Sequence, residues 1–84
     1  MGYSIQQLDP EKIKEAQIEF DRWWTQRGDN FTSQLFALIV KADPINEQKI
    51  AAGFPHEVYV VAKYLEKPIL RRFIEGEDGQ IIYI

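Results

Sequence analysis

The chain has no cysteine, and its 84 residues include only one histidine and one methionine. Without cysteine, neither a disulfide nor a thiolate–zinc site supplements the core. A domain of this length buries only about 60–65% of the surface that its unfolded chain exposes. Packing or self-association must therefore supply the stability. The absence of cysteine also suits a reducing compartment, and we expect the protein to be cytoplasmic.

Long hydrophobic runs are absent as well. The longest unbroken apolar run, Leu35 to Val40, has six residues, whereas a membrane span needs about twenty. The first nine residues show no basic region followed by an apolar stretch, so we expect no signal peptide. These features predict a soluble protein with no membrane partner.

Basic residues are too few to form a general nucleic-acid surface. Ten Lys and Arg stand against 13 Asp and Glu, a net charge of −3, which disfavours duplex nucleic acid as a partner. Apolar residues make up 45% of the chain, and two Trp, four Tyr and five Phe are among them. This composition favours a packed core over disorder. The length fits one domain, residues 1–84.

The sequence also lacks familiar catalytic signatures. It has no glycine-rich phosphate loop, Gly-x-Ser-x-Gly elbow or His-Glu-x-x-His pattern. His56, the only histidine, has no evident nucleophile or orienting partner and is typical of a helix end. The acids Glu75, Glu77 and Asp78 do not complete a calcium loop and are typical of a charged hairpin tip. We predict no enzymatic activity, metal or cofactor. The alternative, a small enzyme or enzyme subunit, would show a polar cleft with a perturbed acid.

Proline and its neighbours mark where helices begin. Asp9-Pro10 combines an N-cap with the residue best suited to the first helical position, and predicts a long helix from Pro10 to about Arg27. One broad stripe of this helix comprises Ile13, Ala16, Phe20, Trp23, Trp24 and Arg27. Asp43-Pro44 repeats the signal for a short third helix to Ala52.

Two other segments have a strand alternative beside the helix that their pattern favours. Asp29-Asn30 offers caps for a second helix from Phe31 to Ala42, whose run Leu35–Val40 is apolar all round and predicts the most buried helix. A buried strand is the alternative for that run. A fourth helix begins at Pro55 and ends by Lys67, although residues 57–65 also have strand propensity. The expected core comprises Phe20, Leu35, Leu38, Ile39, Val61 and Leu65, and Leu38→Ala should cost about 2–5 kcal/mol.

The last sixteen residues predict a β-hairpin. Asp78-Gly79 is a strong turn signal between residues 69–74 and residues 80–84. The expected fold is therefore α+β and mostly α, with about four helices and a C-terminal hairpin. In the last strand, Ile82 and Ile84 face the side opposite to Ile81 and Tyr83. As an unprotected edge strand it should pair or pack with a second copy, giving a homodimer. A helix covering the second face is the alternative.

Trp23 and Trp24 are adjacent, so their side chains diverge by about 100° on a helix. Either both anchor the core, or one packs inside while the other contacts a partner, since tryptophan is enriched at binding hot spots. Together with Ile82 and Ile84 they are the predicted partner-binding residues.

One local basic concentration supports an alternative function. Lys63, Lys67, Arg71 and Arg72 lie close to Tyr64 and Phe73 along the chain. Such a set can bind a nucleotide or single-stranded nucleic acid, in which case binding weakens steeply with salt. A solvated cationic face at the end of a helix is the other interpretation of the same residues.

The middle of the chain contains Gly28-Asp29-Asn30-Phe31, Leu35-Phe36-x-Leu38-Ile39-x-Lys41-Ala42-Asp43, Asn46, Lys49-Ile50 and Gly53-Phe54-Pro55-x-Glu57-Val58. This pattern carries a resemblance to small uncharacterised proteins of bacteriophages and mobile elements. It covers about a third of the chain and implies an accessory protein that binds a host or phage protein. We predict a non-enzymatic protein-binding module that associates with itself.

Overall fold

The computed structural model describes residues 6–26, 28 and 30–84. Its helices are α1 (Pro10–Gln26), α2 (Phe31–Lys41), α3 (Pro44–Gly53) and α4 (Pro55–Leu65), followed by a 3-10 helix (Pro68–Arg72); its strands are β1 (Gln6–Gln7), β2 (Phe73–Glu75) and β3 (Ile81–Tyr83). The predicted α+β, mostly α class is confirmed, and residues 57–65 are helical. The predicted helix end at Arg27 and the cap at Asp29 lie outside the described residues.

The helices begin where the sequence places their caps. The Asp43 Oδ1 atom accepts the Asn46 backbone N–H at 2.8 Å, and the Asn30 side chain accepts the Ser33 N–H at 2.9 Å. Asp9 Oδ1 similarly accepts the N–H of Glu11 at 2.9 Å. These bonds satisfy N–H groups that have no partner within the helix, and so fix where α1, α2 and α3 start, whereas α4 begins at Pro55 without a side-chain cap.

The centre of the molecule is α4, against which the other three helices and the 3-10 helix pack. Its residues 58–62 are all buried. The prediction that α2 is the most buried helix is wrong, because α2 packs through one face only. Phe20, Leu35, Ile39 and Val61 are buried as predicted, and Leu65 is partly buried. Leu38 is 48% exposed, so the expectation of a buried Leu38 and a costly Leu38→Ala is wrong.

An ion pair joins three helix ends. Lys67 follows α4, and its Nζ lies 2.9 Å from Oε2 of Glu47, a residue of α3 that is 1% exposed. The same ammonium donates to the carbonyl oxygens of Val40 at 3.0 Å and Ala42 at 3.4 Å, at the end of α2. The hydrogen bonds go to these carbonyls, and the contact with Glu47 Oε2 is an ion pair without a directional bond. Burial lowers the pKa of Lys67, whereas the nearby carboxylate and the helix end favour the charged ammonium and oppose that desolvation cost.

The sheet has the order β1-β3-β2, with both pairings antiparallel. The predicted hairpin is confirmed, and Gly79 adopts φ +83° in its turn, a conformation that favours glycine. The prediction that the last strand lies at a sheet edge is wrong, because β1 pairs with its free side. The predicted first hairpin strand is shorter than residues 69–74, since a 3-10 helix occupies 68–72 after Pro68.

Candidate functional site

A groove between α2 and α3 is a predominantly apolar depression on the surface. Leu35 and Leu38 of α2 and Ile50 of α3 line it, and its volume is about 350 Å³. The two helices are consecutive, and the cap at Asp43 starts α3 immediately after α2 ends. Both helices pack onto α4. Their outward-facing apolar residues are therefore left along a common surface.

Two aromatic rings stand at one end of the groove. Phe31 at the start of α2 and Phe54 just after α3 lie with ring centroids 6.0 Å apart. Phe31 is 67% exposed and Phe54 is also exposed. Exposed aromatic rings beside an apolar cavity are typical of protein-binding surfaces.

The groove continues along both helices. A second depression of about 380 Å³ shares Leu38, Lys49 and Ile50 with the first and adds Lys41 and Asp43. The two adjoining depressions are together called the α2–α3 groove. Phe31, Leu35 and Leu38 recur at the spacing i, i+4 and i+7, and the sequence pattern assigned Leu35 and Leu38 to the core. The spacing identifies a helix face correctly, but it does not show whether another element covers that face.

The predicted tryptophans lie elsewhere, in a cluster around Phe20. Trp23 is buried and Trp24 half-buried, and the centroids of their rings lie 5.9 and 5.6 Å from that of Phe20. The same ring contacts Phe36 of α2 and Tyr64 of α4, each at 5.3 Å. The cluster therefore joins α1, α2 and α4, and this position favours the core-anchor interpretation of both tryptophans.

Ile82 and Ile84 lie on the outer face of the sheet, away from the tryptophans. The alternation is as predicted: Ile81 and Tyr83 are buried, Ile82 is half-buried and Ile84 is 40% exposed. Ile74 of β2 pairs with Ile82 and is 48% exposed. No described helix closes over these residues, so the alternative of a helix-covered second face is wrong.

The four basic residues do not form a single cluster of free charges. Lys67 is held by Glu47, and Arg72 donates from Nε to the Ile84 carbonyl oxygen at 2.7 Å. The Lys63 ammonium lies 5.7 Å from the centroid of the Tyr59 ring, and Arg71 is exposed. Anion binding stays a prediction for Lys63, Arg71 and Arg72, whereas the ammonium of Lys67 is directed into the protein.

Comparisons with protein-family models, curated proteins and solved structures find no match to this chain. None of the helices in the described ranges has the length and apolarity that a membrane span requires. Within those ranges no group of three or more His, Asp or Glu side chains is arranged to hold a metal ion.

His56 connects the starts of α1 and α4. Its Nε2 accepts the Asp9 backbone N–H at 2.9 Å, so this nitrogen carries no proton of its own. Burial lowers the pKa of His56; the nearby Glu57 carboxylate opposes this, Lys12 adds to it, and Asp9 opposes it. The same ring borders a polar cleft with Glu15 and Glu19. The hydrogen bond gives this histidine a structural role at a helix end, the position that the sequence predicts.

This contact predicts a pH dependence of stability. Because the folded-state pKa of His56 lies below the unfolded value of 6.5, the unfolded chain binds more protons in the interval between the two values. Stability should therefore be constant above that interval and fall as the pH decreases through it. His56→Gln keeps an acceptor but does not titrate, so this part of the dependence should vanish. Urea unfolding at several pH values between 7.5 and 5 checks this, and identical profiles for parent and variant would contradict it.

Proposed function

We propose that this protein is a non-enzymatic protein-binding module, which holds an apolar segment of another protein in the α2–α3 groove. The observation that carries the proposal is the exposure of Phe31, Leu38 and Phe54 around one continuous apolar depression. Large exposed apolar residues gathered in one concave surface mark interaction sites, whereas scattered ones need no explanation. Action in the cytoplasm, on a host or phage protein, is part of the proposal.

Leu38→Asp tests this function, and Ile18→Asp is its matched control. The two parent side chains are 48% and 51% exposed, but Ile18 lies on α1 outside the groove. The parent and both variants are immobilised and exposed to lysate of the producing cell. We expect a partner that the parent and Ile18→Asp retain and that Leu38→Asp loses, with binding weakened about 30-fold or more, as for a hot-spot residue. If no recovered protein shows this pattern, the groove is not the binding site.

The outer sheet face supports self-association as an additional property. Ile74, Ile82 and Ile84 form an apolar strip there, and a second copy can bury it in an isologous, face-to-face contact. We propose that the protein forms this homodimer. Backbone pairing at β3 is not part of the proposal, because both sides of that strand are occupied.

Light scattering tests the dimer. We expect the parent to have twice the mass of one chain at high micromolar concentration, and Ile82→Lys to be monomeric because its charge would be buried in the contact. Glu77→Lys introduces a lysine at the hairpin tip, away from the strip, and should leave the dimer intact. A monomeric parent would exclude the homodimer.

A further inference from the structure

The shape of the α2–α3 groove restricts what can occupy it. Its walls are helices, whose backbone N–H and C=O groups bond internally. No free strand edge of the described sheet borders it. An extended peptide lying there would find no backbone partners, whereas a helix satisfies its own backbone groups. The groove therefore favours a helical segment.

The length of the groove sets the length of that helix. The 11 residues of α2 extend over roughly 16 Å at about 1.5 Å per residue. A bound helix running along α2 thus makes contact over about three turns, through apolar residues at i, i+3 or i+4, and i+7. The apolar half of the groove, beside Phe31 and Phe54, would accommodate the largest of these side chains.

The charges beside the groove favour a partner of opposite charge. Lys41 and Lys49 line it, and neither ammonium forms an ion pair with a carboxylate of the described residues. Asp43 is the only acid in the lining, and both its carboxylate oxygens bond to Asn46 at the start of α3. The groove is thus locally cationic although the whole chain carries −3. At physiological salt the Debye length is about 8 Å, so a bound segment interacts mainly with these nearby charges and little with the rest of the chain's charge.

From these features we infer that the groove binds an amphipathic helix with acidic residues flanking its apolar stripe. The inference rests on the proposed function and specifies the partner. Leucine- or phenylalanine-like side chains enter the two depressions, and Asp or Glu side chains on the helix flanks pair with Lys41 and Lys49. Rim charges of this kind determine which partners are accepted and how fast they associate.

The experiment uses a display library of helix-favouring peptides of about 16 residues, long enough for the three turns at about 1.5 Å per residue. The library is selected on the parent protein and counter-selected on Leu38→Ser. Phe31→Ser serves as a second counter-selection variant, and because neither substitution changes the charge of the groove, the counter-selection does not itself favour acidic peptides. We expect enriched sequences with apolar residues at i, i+4 and i+7 and with Asp or Glu beside them.

A synthetic peptide of the enriched sequence, labelled for fluorescence anisotropy, then tests the charges directly. Lys41→Glu combined with Lys49→Glu should weaken its binding about tenfold or more and should strengthen binding of the same peptide with Lys in place of its acids. Enriched helices that are basic, or that show no acidic bias, overturn the inference and leave the proposed function standing. Enriched sequences with strand alternation or proline also overturn it. If no sequence distinguishes the parent from both groove variants, the inference and the proposed function fail together.

Discussion

Lys67→Met is expected to lower the free energy of unfolding by about 3–5 kcal/mol, the cost of leaving a buried charge without its partner. The substitution keeps most of the apolar stem but removes the ammonium. Glu47 would stay buried with no countercharge, and the carbonyl oxygens of Val40 and Ala42 would lose a donor. A domain of this size has about 5–10 kcal/mol of stability in total, so the variant should be close to unfolding. Urea denaturation measures the loss.

The double variant Lys67→Met with Glu47→Leu separates charge from packing. Removing both charges should cost much less than the sum of the two single changes, because no uncompensated charge remains. Lys14→Met, at an exposed lysine on α1, controls for the loss of a positive charge and should change stability by no more than about 0.5 kcal/mol. A double variant with additive costs would show that the pair is not coupled.

Phe20→Ala should be comparably damaging, at about 3–5 kcal/mol, through loss of apolar contacts and creation of a cavity. The ring is 0% exposed and contacts four other aromatic rings from three helices, those of Trp23, Trp24, Phe36 and Tyr64. For a domain of this size each kcal/mol corresponds to about 4–8 °C, so the Tm should fall by at least 12 °C. Calorimetry measures the change.

Ile18→Ala is the control for this prediction, since Ile18 lies on the same helix two residues earlier and is 51% exposed. It should change stability by no more than about 0.5 kcal/mol. Equal losses in the two variants would mean that the cluster contributes nothing beyond the helical propensity of α1.

The starts of the helices could be predicted because their causes are local. An N-cap side chain bonds to a backbone N–H two or three residues away, so Asp9, Asn30 and Asp43 act whatever the rest of the chain does. The hairpin turn at Asp78-Gly79 is local in the same way. The positions of the helices and of the hairpin could therefore be predicted from the sequence, as could the burial of Phe20 and Ile39.

What could not be predicted depends on contacts distant in sequence. β1 has only two residues, both glutamine, and forms through pairing with β3 at the far end of the described chain. The Glu47–Lys67 pair links residues that carry no common motif. Leu38 has the same pattern as a core leucine, and its exposure depends on how α2 and α3 pack onto α4. For this reason the sequence does not predict the α2–α3 groove. It shows only the apolar spacing of the residues on that face of α2.

The aromatic cluster makes the protein its own optical probe. Trp23 and Trp24 are the only tryptophans in the chain, so all indole emission comes from the junction of α1, α2 and α4. Neither residue lines the α2–α3 groove. Unfolding exposes both indoles to water and shifts their emission to longer wavelengths, whereas a tryptophan-free helix in the groove leaves the emission almost unchanged. Intrinsic fluorescence thus follows folding of the helical body independently of groove occupancy.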